Sequence, residues 1–314
     1  MTELVFSANI VLPLLILIAT GYFAKRLGLI DDRFVGAGNK LVFKIFLPVL
    51  LCYNIMTTDS GFELGSRAFW IFPIFILAEF ALCFLIVPKI EKDGKKASVM
   101  IQAICRSNYA LFGIPLVELM YPERNTSLAA LLVIVIVPMF NVFSVVTLES
   151  FSGGKRSFKK IAMGVITNPL IIGSAIGFVL WKTGVGALMP AFVMTSMKNI
   201  GSIASPLALF LLGGTLTIKT ARENKRQLTI AVLGRLVIMP AIFLLLCILL
   251  GMRDVELACA LIVFGAPVAV SSFPMAQLMG ADGELAGELV AFTSAFSILS
   301  VFVFIYVMRV LAFL

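Results

Sequence analysis

Residues 104–115 read Ile-Cys-Arg-Ser-Asn-Tyr-Ala-Leu-Phe-Gly-Ile-Pro, and residues 263–274 read Val-Phe-Gly-Ala-Pro-Val-Ala-Val-Ser-Ser-Phe-Pro. Each stretch places glycine, serine and proline in the middle of a long apolar segment. Proline lacks a backbone donor and clashes with the carbonyl group four residues earlier, so both segments should open here. Open backbone inside a membrane survives only where protein or a water-filled cavity satisfies it. The two stretches therefore predict two interrupted membrane helices.

The composition of the whole chain fits a membrane protein. Of its 314 residues, 61% are hydrophobic and 13% are charged, and the mean hydropathy is +1.07. A soluble domain has roughly 25% charged residues and could not bury so much apolar surface. The chain has no histidine, which excludes the commonest zinc-ligand sets and histidine-based catalysis. We expect no enzyme activity, no metal site and no cofactor.

Ten apolar segments approach the length of about 20 residues that is needed to cross a bilayer. They lie at 6–24, 37–57, 68–88, 97–121, 127–148, 161–181, 201–218, 228–250, 256–280 and 286–308. The interrupted segments are the fourth and the ninth. Segments 37–57 and 201–218 are the weakest by hydropathy, and an arrangement with eight spans would leave them out.

The basic residues lie mainly in loops on one side of a ten-span arrangement. Four loops (25–40, 89–96, 155–160 and 219–226) hold four Lys or Arg residues each, sixteen in total, against six on the other side. Basic loops stay in the cytoplasm, which places both termini outside an inner or plasma membrane. Eight spans would divide these residues about evenly, so ten is favoured. The loops also account for the net charge of +8, and no nucleic-acid partner is expected.

Three prolines of the first half have counterparts in the second half at nearly constant spacing. The pairs are Pro13 and Pro169, Pro48 and Pro206, and Pro115 and Pro274, which are 156, 158 and 159 residues apart. Five spans per half is an odd number, so the second copy must be inverted in the membrane, as is typical of secondary transporters. The predicted fold is all-α and polytopic. Its repeats at 1–150 and 161–314 flank a basic loop at 151–160, and both repeats contribute to a scaffold domain and to a transport domain.

The two breaks should meet near the midplane, and this crossover is the predicted substrate site. The candidate substrate ligands are Arg106, Ser107, Asn108, Asn141, Ser271, Ser272 and Gln277. The candidate crossover residues are Gly113, Pro115, Gly265, Pro267 and Pro274. A guanidinium suits a carboxylate, and a charge at this depth indicates a function by default. A structural role for Arg106 stays open.

Glu79 lies in the middle of the third segment. It could carry a coupling proton, because burial favours the neutral carboxyl group. It could equally form a structural ion pair with Arg235 or Lys44. Both alternatives stay open.

Several motifs resemble the auxin efflux carrier family, particularly its bacterial malate-permease-like members. They are residues 106–116, Asn39-Lys-Leu-Val with Leu47-Pro48, residues 206–216, and Gly265-Ala-Pro. The resemblance implies ten spans in a fold similar to that of bile-acid symporters and sodium/proton antiporters, with crossed, broken spans four and nine. It also implies transport of organic anions such as malate or auxin, with Asn108 and Asn141 as substrate contacts and Pro115 and Pro267 at the crossover. The short loop at 149–160 departs from the long central loop of many plant members.

The sequence thus predicts a secondary carrier for a small organic anion that works by alternating access in a lipid bilayer. A cation/proton antiporter, a channel, a membrane-bound enzyme and a non-transporting sensor with the carrier fold are the alternatives. Residues 173–177 read Gly-Ser-Ala-Ile-Gly, which permits close helix packing and could form a homodimer interface.

Overall fold

A computed structural model describes residues 2–57, 66–109, 116–117, 120–121, 127–151, 158–215 and 222–314. Its helices are α1 (Thr2–Arg26), α2 (Asp32–Met56), α3 (Ala68–Ile90), α4 (Gly94–Cys105), α5 (Ser127–Ser150), α6 (Phe158–Ile166), α7 (Pro169–Thr183), α8 (Ala191–Ser202), α9 (Ala204–Thr215), α10 (Lys225–Leu249), α11 (Asp254–Gly265), α12 (Ser272–Leu278) and α13 (Gly283–Val310). The protein is therefore all-helical over the described ranges.

Five helices are individually long and apolar enough to cross a membrane, by length and composition. They are α2, α3, the Leu131–Ser150 part of α5, α10 and α13. Helix α7 is apolar but shorter. A polytopic membrane protein is thereby confirmed, whereas the count of ten spans stays a prediction.

The two weakest segments of the sequence are both helical. Segment 37–57 lies within α2, one of the five long apolar helices. The part of segment 201–218 that the structure describes, up to Thr215, contains the end of α8 and all of α9. Helix begins here at Ala191, ten residues earlier than predicted. Helices α8 and α9 are separated by Ile203 alone.

Helices α2 and α10 each contain a π-helical turn next to a proline. The turns are Val42–Phe46, before Pro48, and Gly234–Ile238, before Pro240. Proline cannot donate to the carbonyl group four residues earlier and crowds it, and a π turn is a common local accommodation in a helix. The turn in α10 carries the buried Arg235.

The helices pack in two groups. In the first group, α1 packs on α9 and α7 packs on α2, with α8 also against α2. The second group contains α3, α4, α5, α10, α11, α12 and α13. The groups meet mainly where α13 contacts α1 and where α5 contacts α7.

Glycine lets the helices of the first group approach until one backbone contacts the other. A methyl group at Gly21 would lie 1.8 Å from the Phe210 carbonyl oxygen, and one at Gly177 would lie 2.7 Å from that of Cys52. Gly173 contacts Pro48 of α2 in the same way. Gly173 and Gly177 therefore pack against α2 of the same chain. They are not free to form a homodimer interface and no longer support that prediction.

Helices α4 and α11 lie at the centre of the second group. Residues 97–105 of α4 and residues 257–265 of α11 are all buried. Each helix has 12 residues, and each ends where the chain becomes extended. These two ends position the candidate functional site.

Candidate functional site

Two extended segments cross where α4 and α11 end. Ser107 and Val268 form an isolated antiparallel bridge. The Asn108 backbone N–H donates to the Pro267 carbonyl oxygen at 2.8 Å. Backbone polar groups that the breaks release from the helices are thus paired across the crossing, as a buried backbone requires.

Arg106 begins the first extended segment and is 4% exposed. Its Nη2 donates to Asn141 Oδ1 at 2.6 Å and to Ser271 Oγ at 2.7 Å. Its Nη1 lies 2.9 Å from the Met275 sulfur, a weak acceptor. All of these partners are neutral. No carboxylate of the described residues lies within ion-pair distance of this guanidinium.

Several polar atoms around Arg106 are buried without a hydrogen-bond partner among the residues that the structure describes. They are Ser107 Oγ, Asn108 Nδ2 and Asn141 Nδ2. Ser272 Oγ is also buried and unpaired within the described residues, but Ser272 does not line the cavity that these residues share with Arg106, contrary to the prediction. The two amide nitrogens can only donate, and the hydroxyl group of Ser107 can donate. Buried polar atoms in proteins are nearly always satisfied, so this cluster is suited to a ligand rich in acceptor oxygens.

A cavity of about 60 Å³ lies between the crossover and α2. Its polar lining includes Arg106, Ser107, Asn108, Asn141 and Ser271, and its apolar lining includes Leu47, Leu50, Leu51, Val137, Phe140 and Val270. Residues of both helix groups line it, because Leu47, Leu50 and Leu51 belong to α2. A volume of this size holds a few water molecules.

Arg235 of α10 joins the ends of the two broken helices. Its Nε donates to the Ala266 carbonyl oxygen at 2.7 Å, its Nη1 to that of Ile104 at 3.0 Å, and its Nη2 to that of Val263 at 2.9 Å. The last carbonyl groups of a helix have no partner within the helix and carry partial negative charge. One fully buried guanidinium therefore satisfies carbonyl groups from both ends.

Glu79 of α3 forms an ion pair with this arginine. Its Oε1 lies 3.9 Å from Arg235 Nη1, and both side chains are fully buried. Lys44, the other partner that the sequence allowed, is exposed. Of the two structural partners, the geometry selects Arg235. The alternative of a proton-coupling role for Glu79 stays open.

Gln277 is not part of the crossover cluster. Its Oε1 accepts from Asn39 Nδ2 of α2 at 2.5 Å, and it lines a separate cavity of about 470 Å³ together with Lys25 and Arg26. Helix α12 begins at Ser272, so five residues of helix place Gln277 roughly 7 Å away from the break. Gln277 therefore lies away from the other candidate ligands, contrary to the prediction.

The predicted crossover residues divide into three groups. Gly265 ends α11 and Pro267 follows it in the extended segment, as expected. Pro274 lies inside the first turn of α12, where a missing donor does no harm, so it does not extend the break. Gly113 and Pro115 lie outside the described residues.

Two contacts at the crossover were not predicted from the sequence. Met275 lies against Arg106, one helical turn beyond Ser271. Thr293 Oγ1 of α13 accepts from the Val268 backbone N–H at 3.1 Å. The spacing of Ser271 and Met275, four residues apart on one helix face, is the one sequence signal that could have indicated the first contact.

The chain is similar to known proteins along nearly its whole length. The sequence model of the membrane transport protein family matches residues 6–305. The chain belongs to this family, that of the auxin efflux carriers. This auxin efflux carrier family member is also similar to an uncharacterized transporter of Methanocaldococcus jannaschii, with 24% identity over 298 residues, covering 93% of this chain and 95% of the relative.

Family membership settles the class of function. The protein is a multi-pass membrane transporter and not an enzyme. The name of the archaeal relative gives no substrate, so the substrate of this auxin efflux carrier family member has to be argued from its own site.

Proposed function

We propose that the protein is a secondary carrier for a small organic anion, such as malate, another carboxylate or an auxin-like acid. The substrate binds at the crossover of the two broken helices. The observation that carries the proposal is the buried Arg106, which has neutral partners and lies among unpaired donor groups.

The charge of Arg106 explains why an anion fits. A buried ion without a counterion is costly, by several kcal/mol even after relaxation, and charged groups within a membrane are rare and mark substrate paths. Hydrogen bonds between a guanidinium and a carboxylate are charge-assisted and often bidentate. A carboxylate at this position would displace the weak contact with Met275 and accept from Asn108 and Asn141.

The ten-span inverted repeat belongs to the same proposal, and the glycine contacts support it. Gly21 contacts the carbonyl group of Phe210, and Gly177 contacts that of Cys52. Gly177 follows Gly21 by 156 residues, and Phe210 follows Cys52 by 158. The two contacts are therefore equivalent. In one, the glycine belongs to the first half and the carbonyl group to the second half, and in the other this assignment is reversed. The starts of α4 and α11, Gly94 and Asp254, are likewise 160 residues apart.

Alternating access would move the second helix group against the first. The cavity at the crossover is lined by both groups, as a site between moving parts must be. The hydrogen bond from Asn39 to Gln277 also joins them, on the side of the basic loops. Breaking that bond would open the site toward this side. With the basic loops in the cytoplasm, the carrier lies in the cell membrane with both termini outside.

Uptake of labelled anions into proteoliposomes tests the proposal. Malate, succinate, indole-3-acetate and an amino-acid anion would each be offered with and without a pH gradient. We expect flux of at least one of them. Arg106→Gln should lower the apparent affinity by about 100-fold, and Asn108→Ala by about tenfold, because each removes a hydrogen bond to a charged ligand.

Arg33→Gln is the matched control, because Arg33 is exposed at the start of α2. It should transport like the parent protein. Absence of flux for every anion would contradict the proposed function. Unchanged uptake by Arg106→Gln and Asn108→Ala would leave the function intact and contradict the site.

A further inference from the structure

An apolar groove of about 490 Å³ runs along the outer surface of the second helix group, between α10 and α13. Its walls include Leu233, Phe296 and Leu299, which are 48%, 53% and 62% exposed. Both helices are long and apolar enough to cross the bilayer. The groove therefore faces the lipid, and it plays no part in the crossover site.

The two ends of the groove differ in chemistry. One end is formed by Lys225, whose ammonium group makes no hydrogen bond or ion pair within the described chain, and by Thr229. Arg222 and Glu223 are exposed on the preceding turn. Arg226 does not line the groove and donates to the Ile90 carbonyl oxygen of α3, and the buried Glu288 of α13 accepts from Asn224. Lys225 is thus the basic residue of the lining and marks one end, whereas Ser300 is the polar residue of the lining away from it.

The length of the groove fits one leaflet of the membrane. Lys225 and Val237 are its first and last residues on α10, and twelve residues of helix span about 18 Å. One leaflet of the hydrocarbon core is about 15 Å thick, half of the whole. An acyl chain with its headgroup at Lys225 would therefore run from the interface to the middle of the bilayer.

We propose that this groove is a binding site for an anionic phospholipid of the leaflet on the basic-loop side. One acyl chain lies against Leu233, Phe296 and Leu299, and the headgroup phosphate lies at Lys225. Basic pockets between membrane helices bind anionic headgroups in this way. The inner part of the groove includes Leu236 and Val237, which follow Arg235 in the π turn, so the bound lipid supports the turn that holds both broken helices.

Native mass spectrometry of the purified, delipidated protein tests the proposal, with phosphatidylglycerol and phosphatidylcholine as the probes. We expect one phosphatidylglycerol to bind in preference to phosphatidylcholine and to raise the unfolding temperature. Lys225→Gln should lower the affinity for phosphatidylglycerol by about fivefold, the share expected of one basic residue near an anionic surface. Leu299→Trp, which fills the groove from an exposed position, should abolish the bound lipid.

Two matched controls separate this site from general effects. Lys95→Gln removes an exposed charge from another basic loop, and Leu245→Trp enlarges an exposed residue of α10 that does not line the groove. Both should bind phosphatidylglycerol like the parent protein. Equal binding of the two lipids, equal effects of Lys225→Gln and Lys95→Gln, or a dimer that Leu299→Trp dissociates would each overturn the proposal.

Discussion

Two arginines are buried at the centre of this transporter, and they differ in what surrounds them. Arg235 donates to three carbonyl groups from the ends of α4 and α11 and pairs with Glu79. Arg106 contacts an amide, a hydroxyl group and a sulfur atom. Its neighbours also include donors that have no partner in the described part of the chain. A buried cation whose hydrogen bonds and charge are satisfied by the protein stabilises the fold. A buried cation with neutral partners can exchange those partners for an anionic ligand.

Removing Arg235 should have the largest effect on stability. Arg235→Met leaves three buried carbonyl groups unsatisfied and the carboxylate of Glu79 without its counterion. Breaking a buried ion pair costs about 3–5 kcal/mol, so little folded protein should survive extraction into detergent. Thermal unfolding followed by size-exclusion chromatography measures this.

The matched variant is Arg106→Met, which removes the other buried guanidinium. It should remain folded, because the partners that it leaves behind are neutral. If both variants unfolded at the same temperature, the distinction between a structural and a ligand-binding arginine would be wrong.

Glu79→Gln should have an intermediate effect. Arg235 keeps its three carbonyl acceptors, so we expect a loss of about 1–3 kcal/mol, the cost of leaving a buried charged group partly unsatisfied. Uptake per folded molecule, and its dependence on pH, should stay unchanged. Glu79 would instead be identified as the coupling group if this variant folded and its uptake no longer responded to a pH gradient.

Met275→Leu should have the smallest effect on stability and transport, because it removes only the sulfur contact with Arg106. The two side chains have similar volumes, so stability should change by less than about 1.5 kcal/mol. Loss of the sulfur contact leaves one N–H of Arg106 without a partner until an anion binds. Because a hydrogen bond of this kind is worth about 1 kcal/mol, the apparent affinity for the transported anion should rise by roughly twofold to fivefold. A lower affinity would mean that the sulfur helps to position the arginine.

The sequence was informative about where the helices break. Glycine, serine and proline in two apolar segments predicted the interruptions, and the chain is extended after Cys105 and after Gly265. These signals are local, because proline and glycine act on their own turn of helix. Pro274 shows the limit of such a signal, since a proline in a first turn starts a helix as readily as it breaks one.

Side-chain partners far apart in the chain were harder to predict. The sequence offered Glu79 two cations and gave no reason to choose, because the choice depends on how α3 packs against α10. The three carbonyl groups that accept from Arg235 lie 28 to 131 residues away from it along the chain. Every residue has a backbone carbonyl group, so the sequence does not indicate which of them accepts a hydrogen bond from an arginine. The prediction for Gln277 fails for a related reason. The distance of Gln277 from the crossover depends on the residue at which α12 begins.

The helix contacts made by glycine have a consequence for genetics. At Gly21 and Gly213 a new methyl group would meet a backbone carbonyl oxygen, at 1.8 and 1.9 Å, whereas at Gly38 it would meet the side chain of Leu211 at 2.7 Å. A smaller residue at 211 can therefore suppress Gly38→Ala from a second site. No change of a neighbouring side chain can do this for Gly21→Ala or Gly213→Ala, and revertants of those two should map to the mutated codon itself.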